Sequence, residues 1–206
     1  MKHFILIIPF LLMSCASQND VHYEMWKPSL VQLDPTSKKY IIEGKSYSLK
    51  EDKPEIITIS KKNPVYEGVQ FLDYTEKENR SELKSLTGVD PVRIEWCAAF
   101  ANAILEKSNI KSNKDHRYAL TARSFLDWGT SVEEPEMGDI VVFPRGDVSW
   151  QGHVGFFVKQ QVIDDELYYY ILGGNQKNSV NVTLFPASKA IDIRRHVELT
   201  SDTSKK

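Results

Sequence analysis

Residues 96–107 read Trp96-Cys97-Ala98-Ala99-Phe100-Ala101-Asn102-Ala103-Ile104-Leu105-Glu106-Lys107. Strong helix formers fill the stretch, and the apolar residues at 97, 100, 101, 104 and 105 form one continuous helical face. The spacing predicts a helix with Cys97 in its first turn, at the buried edge. Four alanines keep that helix slim, which lets it press closely against a sheet. The strands for such a sheet follow it in the chain. Gly138-Asp139 opens a strand at 140–143, Gly152 precedes one at 153–162, and residues 167–172 are rich in tyrosine; 181–185 and 191–196 supply two more. Helices first and antiparallel strands afterwards predict an α+β fold, with the Cys97 helix packed across one face of the sheet.

Working outward, residues 81–86 read as a short helix stopped by Thr87-Gly88 and followed by an Asp90-Pro91 turn. Thr121 is placed to cap a second short helix, with Leu120 and Phe125 as its hydrophobic staple and Gly129 as its stop. Residues 39–49 read as a hairpin turning at Glu43-Gly44, and 54–60 as a further strand. The stretch just after Cys15 has no periodicity and reads as a tether. These signals divide the chain into a leader at 1–14, a tether and small β-rich region at 15–78, one catalytic domain at 79–199 and a disordered tail at 200–206.

The chain of 206 residues holds two cysteines, Cys15 and Cys97. A thiol is a nucleophile only as thiolate, and a helix start supplies N–H dipoles that favour the anion, as does a neighbouring imidazole. For the imidazole, the hairpin geometry is informative. A tight turn at Asp164-Asp165 pairs residues whose numbers sum to 329, which sets His153 across from Gln176; a one-residue shift makes the partner Asn175. Either amide would hold the ring as the third member of a catalytic triad does. Trp150, three residues before His153, is placed to wall a substrate cleft. Asp139 reads as structural, holding backbone N–H groups at the strand entry. The histidines lack the spacing of metal ligands, and one thiol cannot build a thiolate cage, so neither metal nor other cofactor is expected.

Composition narrows the setting. With 26 basic and 28 acidic residues the chain is close to neutral, so nucleic acid is not an expected partner. An apolar run of ten residues at 4–13 follows Lys2; it is too short to span a bilayer and reads as an export signal.

Two resemblances add to this reading. Leu12-Met13-Ser14-Cys15 resembles the cleavage box of bacterial lipoproteins. That likeness implies cleavage before Cys15, lipidation of its sulfur and a mature chain of 192 residues. Ala16 follows in place of the inner-membrane aspartate, which implies the outer membrane of a two-membrane bacterium, facing the periplasm. Then Trp96-Cys97-Ala98-Ala99-Phe100, Ala122-Arg123-Ser124-Phe125-Leu126-Asp127-Trp128-Gly129, Gly138-Asp139-Ile140-Val141-Val142-Phe143, Gly152-His153-Val154-Gly155-Phe156 and Gly174-Asn175-Gln176 resemble successive blocks of the CHAP and NlpC-like amidase/peptidase group, particularly its phage-type cell-wall hydrolases. The likeness covers about 79–196. It implies a papain-like fold, Cys97 as nucleophile, His153 as general base and Asn175 as the residue that orients the ring. Trp96, Trp150 and Gln176 are the expected substrate contacts, and peptidoglycan amides the expected substrate. Glu95 departs from the small residue or proline of many relatives. The rival reading is an outer-membrane lipoprotein that binds wall peptide or a partner without cleaving it; acyl transfer to another acceptor is a third.

Overall fold

The computed structural model describes residues 20–24, 32–34, 39–42, 45–48 and 56–196, with side chains from 61 to 196. The leader, Cys15 and the tail at 200–206 lie outside these residues. The strands are β1 (Asp20–Glu24), β2 (Gln32–Asp34), β3 (Lys39–Ile42), β4 (Lys45–Ser48), β5 (Ile56–Ser60), β6 (Thr130–Ser131), β7 (Ile140–Pro144), β8 (Gly152–Ile163), β9 (Glu166–Gln176), β10 (Ser179–Pro186) and β11 (Asp192–Arg195). The α-helices are α1 (Pro64–Val69), α2 (Arg80–Thr87) and α3 (Cys97–Lys107).

β6 to β11 form an antiparallel six-stranded sheet in the order β10-β9-β8-β7-β11-β6. α3 packs on it through Phe100, Ile104 and Leu105, which share a core with Val154, Phe156 and Leu172. This is the α+β arrangement expected of the helix and strand pattern. Gly174 of β9 allows a close approach of α3, since a Cβ there would stand 2.6 Å from both Phe100 and Trp96. Side chains alternate across a strand, so Val141, Phe143, Phe157, Ile171 and Ile193 gather in a second apolar cluster.

β3 pairs antiparallel with β4, Ile42 standing opposite Lys45, while Glu43-Gly44, the expected turn, lies outside the described residues. The packed unit reaches back past residue 79, because Val65 of α1 is fully buried in the α3 core and Gly68 lies against Leu172. β1 likewise falls within the stretch read as tether. Residues 122–127 form a 3-10 helix rather than an α-helix, and Thr121 makes no capping bond; its hydroxyl donates to the Tyr118 carbonyl at 2.9 Å. Leu120 is exposed while Phe125 is buried, so the expected staple is absent. The turn at Asp164-Asp165 is real, both residues being left-handed (φ +48° and +64°), as a two-residue hairpin loop requires.

Candidate active site

The outer half of the β8–β9 hairpin keeps the expected register, with Lys159 opposite Tyr170 through Ile163 opposite Glu166. A β-bulge at Val158 then inserts one residue, and Phe157 pairs with Ile171 and Phe156 with Leu172. Continued to the end of the strand, this register would bring Asn175 to His153. Asn175 itself breaks the continuation: its φ of +57° bends β9, so that Gln176 comes to the ring instead. Two local irregularities therefore decide which amide meets the imidazole.

His153 Nε2 and Gln176 Oε1 are 2.9 Å apart, both residues buried. The orientation of the amide follows from its other end. Gln176 Nε2 donates to the Asn181 carbonyl at 2.6 Å, to Asn181 Oδ1 at 2.9 Å and to the Ile171 carbonyl at 3.2 Å. Its Oε1 can only accept, so His153 must carry its proton on Nε2 and keep the lone pair on Nδ1. The ring stacks on Phe185 at 5.4 Å, and Phe143, the cross-strand neighbour of His153, stacks on the same phenyl at 4.5 Å. Burial lowers the imidazole pKa to about 4; the Gln176 hydrogen bond works against the shift and the charge of Arg145 adds to it. The imidazole is neutral at physiological pH.

Cys97 stands at the first position of α3, 4 % exposed and free of any disulfide. Its sulfur accepts from the backbone N–H of Val154, the residue next to His153, and from that of Ala98. The residue whose N–H meets the sulfur is thus the chain neighbour of His153, whose ring packs with Phe185 and Phe143, and among the described residues no hydrogen bond joins thiol and ring. Burial raises the thiol pKa, and Glu95 adds to the rise; the Val154 N–H, Arg145 and the Ala98 N–H oppose it. The lowering expected of a helix start is present and is outweighed by burial. At rest the pair is a neutral thiol beside a neutral imidazole.

A cleft of about 370 Å³ opens over Cys97, lined among others by Glu95, Leu120, Thr121, Arg145 and Trp150. Trp150 is 65 % exposed and stands on its wall. The loop that carries it is tied to the 3-10 helix by Arg123, whose Nε donates to the Gln151 carbonyl at 2.8 Å. Trp96, expected as a substrate contact, is fully buried in the α3 core and packs edge-on against Phe100; its place before the helix turns it inward. Asn175, expected on the imidazole, donates from Nδ2 to Glu95 Oε2 at 2.6 Å, and Gln176, expected as a substrate contact, holds the ring. Arg145 bonds the same Glu95 oxygen at 3.0 Å. No sequence signal singled out Arg145; its place in the loop leaving β7, the strand paired with β8, was the available clue. Asp139 is structural, accepting from the Glu136 N–H at 2.7 Å and from the Arg195 guanidinium.

Comparison with known proteins agrees with this architecture. Residues 89–175 match the family model described as CHAP domain, a span that includes Cys97, His153 and Asn175. No curated protein matches the chain.

Proposed function

We propose, from the match of residues 89–175 to the CHAP domain model, a type that is typically a cysteine hydrolase of peptidoglycan, that this chain cleaves a peptidoglycan amide through an acyl-enzyme on Cys97. The observation that carries the reading is the free buried thiol under the cleft, its sulfur on the N–H of the residue next to His153, whose ring holds its proton on Nε2 against Gln176.

In this reading Nδ1 of His153, with its ring held in place, takes the thiol proton as Sγ attacks the carbonyl carbon, directly once the Cys97 side chain turns towards it or through one water. The tetrahedral oxyanion takes the Cys97 backbone N–H. Collapse breaks the C–N bond, and the imidazolium gives its proton to the leaving amine. A water, deprotonated by His153, then attacks the thioester; release of the carboxylic acid restores the thiol. Gln176 is the positioning residue for the ring, the role the family likeness assigned to Asn175. Because both groups are neutral at rest, the thiolate is made on demand rather than stored as an ion pair.

Trp150 and Leu120 form the apolar wall against which a peptide or sugar can lie. The bond cut is a stem-peptide amide or the amide between lactyl and L-alanine. The apolar run at 4–13 ending at Cys15 supports export and lipid anchorage, with the enzyme on the outer membrane facing the wall.

The test is digestion of purified sacculi and defined muropeptides with the active chain and with Cys97→Ala, followed by mass spectrometry. New fragments released by the active chain alone are expected. Fragments from both would overturn the role of the thiol, and fragments from neither would return the protein to the class of non-cleaving wall binders.

A further inference from the structure

Arg145 is the one cationic residue among those lining the cleft over Cys97. Its guanidinium is 43 % exposed, and among the described residues its partner is a single carboxylate oxygen, Glu95 Oε2 at 3.0 Å. A guanidinium has five N–H donors in a planar fork, matched to both oxygens of a carboxylate. One end-on contact leaves most of that capacity unused. Glu95 is itself 74 % exposed, so this ion pair is solvated and costs little to open.

The position of Arg145 is set by the same elements that set the chemistry. It follows Pro144 of β7, which pairs with Gly152 beside His153, and its charge is felt by both Cys97 and His153. Leu120 and Trp150, which line the same cleft, carry no charge. An amide held over the sulfur would therefore meet both a cation and apolar surface in one cleft.

We propose that Arg145 is a specificity residue that binds a carboxylate of the substrate beside the scissile amide, and that Glu95 occupies this subsite until substrate displaces it. The chemical class is a peptide with a free carboxylate close to the bond cut, such as the acidic residues of a wall stem peptide. Exchange of one carboxylate for another leaves the charge near the thiol unchanged, so substrate entry does not disturb the Cys97–His153 pair. Amidation of that substrate carboxylate would remove the ion pair and leave Glu95 in place. The inference rests on the hydrolase reading for the position of the amide, and its test separates the two.

The experiment measures equilibrium binding of two stem peptides, one with free carboxylates and one with those carboxylates amidated, to the full chain carrying Cys97→Ala. Cleavage of the same peptides by the active chain is followed in parallel. A charge-assisted pair predicts a preference of about ten- to a hundred-fold for the free carboxylates. Arg145→Gln should collapse that ratio towards one, Arg145→Lys should keep part of it, and Glu95→Gln should tighten binding of the free form by removing its competitor. An equal affinity for the two peptides, or a preference that survives Arg145→Gln, overturns the inference. Binding preference without cleavage upholds the subsite and removes the hydrolase reading; cleavage without preference does the reverse.

Discussion

Two polar groups belong to the candidate site around Cys97, and they are built in opposite ways. His153, Gln176 and Asn181 are buried, and each donor of the Gln176 amide finds an acceptor inside the protein. Glu95 and Arg145 are exposed at the cleft and are joined by one solvated contact, with Asn175 reaching out to the same carboxylate. The first group leaves the imidazole one tautomer and no freedom to turn. The second can let go of its partner and take another. Catalysis needs both properties, and the fold separates them: what must not move is under the sheet residues, and what must exchange is at the rim.

The largest effect should follow from opening the buried group. Gln176→Ala removes the partner of the His153 N–H and the Gln176 donor to the Asn181 carbonyl, at about 1–3 kcal/mol for each unpaired buried group. A loss of about 4 kcal/mol in denaturant unfolding is expected, with kcat falling about a hundred-fold and KM little changed. Stability equal to that of the parent chain would show that the group is not a closed network. Gln176→Glu sharpens the point, since an anion at Nε2 should raise the His153 pKa from about 4 and move the acid limb of the rate profile upward.

The next effect is a dependence on pH. The folded pKa of His153 lies near 4, below its ordinary 6.5, so the unfolded chain binds the proton more readily. Its contribution is therefore fully present above pH 6.5 and is lost as pH falls from there through 4, by roughly 3 kcal/mol in all. The comparison is the fall in unfolding free energy over this window in the parent and in His153→Gln. Identical falls would mean that the ring is not held neutral by burial.

The smallest effects belong to the rim. Arg145→Gln and Trp150→Ala should each change stability by less than about 1 kcal/mol, as exposed residues do. Trp150→Ala should raise KM several-fold without moving the acid limb. A destabilisation as large as that of Gln176→Ala would erase the distinction between the two regions.

Much of this was legible in the chain before any coordinates. The helix of Cys97, its packing on an antiparallel sheet and the Asp164-Asp165 turn all follow from local pattern. So does the pairing of His153 with an amide, up to the choice between Asn175 and Gln176. That choice was not legible, because it depends on a bulge at Val158 and a left-handed Asn175, and neither leaves a periodic trace. Trp96 was misplaced for a related reason. Its large ring next to the nucleophile suggested a substrate contact, but the side on which it lies is fixed by how α3 sits on Gly174. The direction of the thiol pKa shift also escaped the sequence, since burial of the sulfur is a property of packing and here outweighs the helix start. Arg145 and Glu95 are loop residues whose meeting depends on tertiary structure alone.

The β8–β9 hairpin carries its reactive end at His153 and Gln176 and its turn at Asp164-Asp165, about ten residues away along each strand or roughly 30 Å at the usual rise. The bulge at Val158 stands between them and pins the register on the catalytic side. The turn is accordingly a handle. A fluorophore, an affinity tag or a surface linker spliced between the two aspartates would sit far from the His153–Gln176 end, and the protein could be tethered or watched on an intact wall while that end stayed undisturbed.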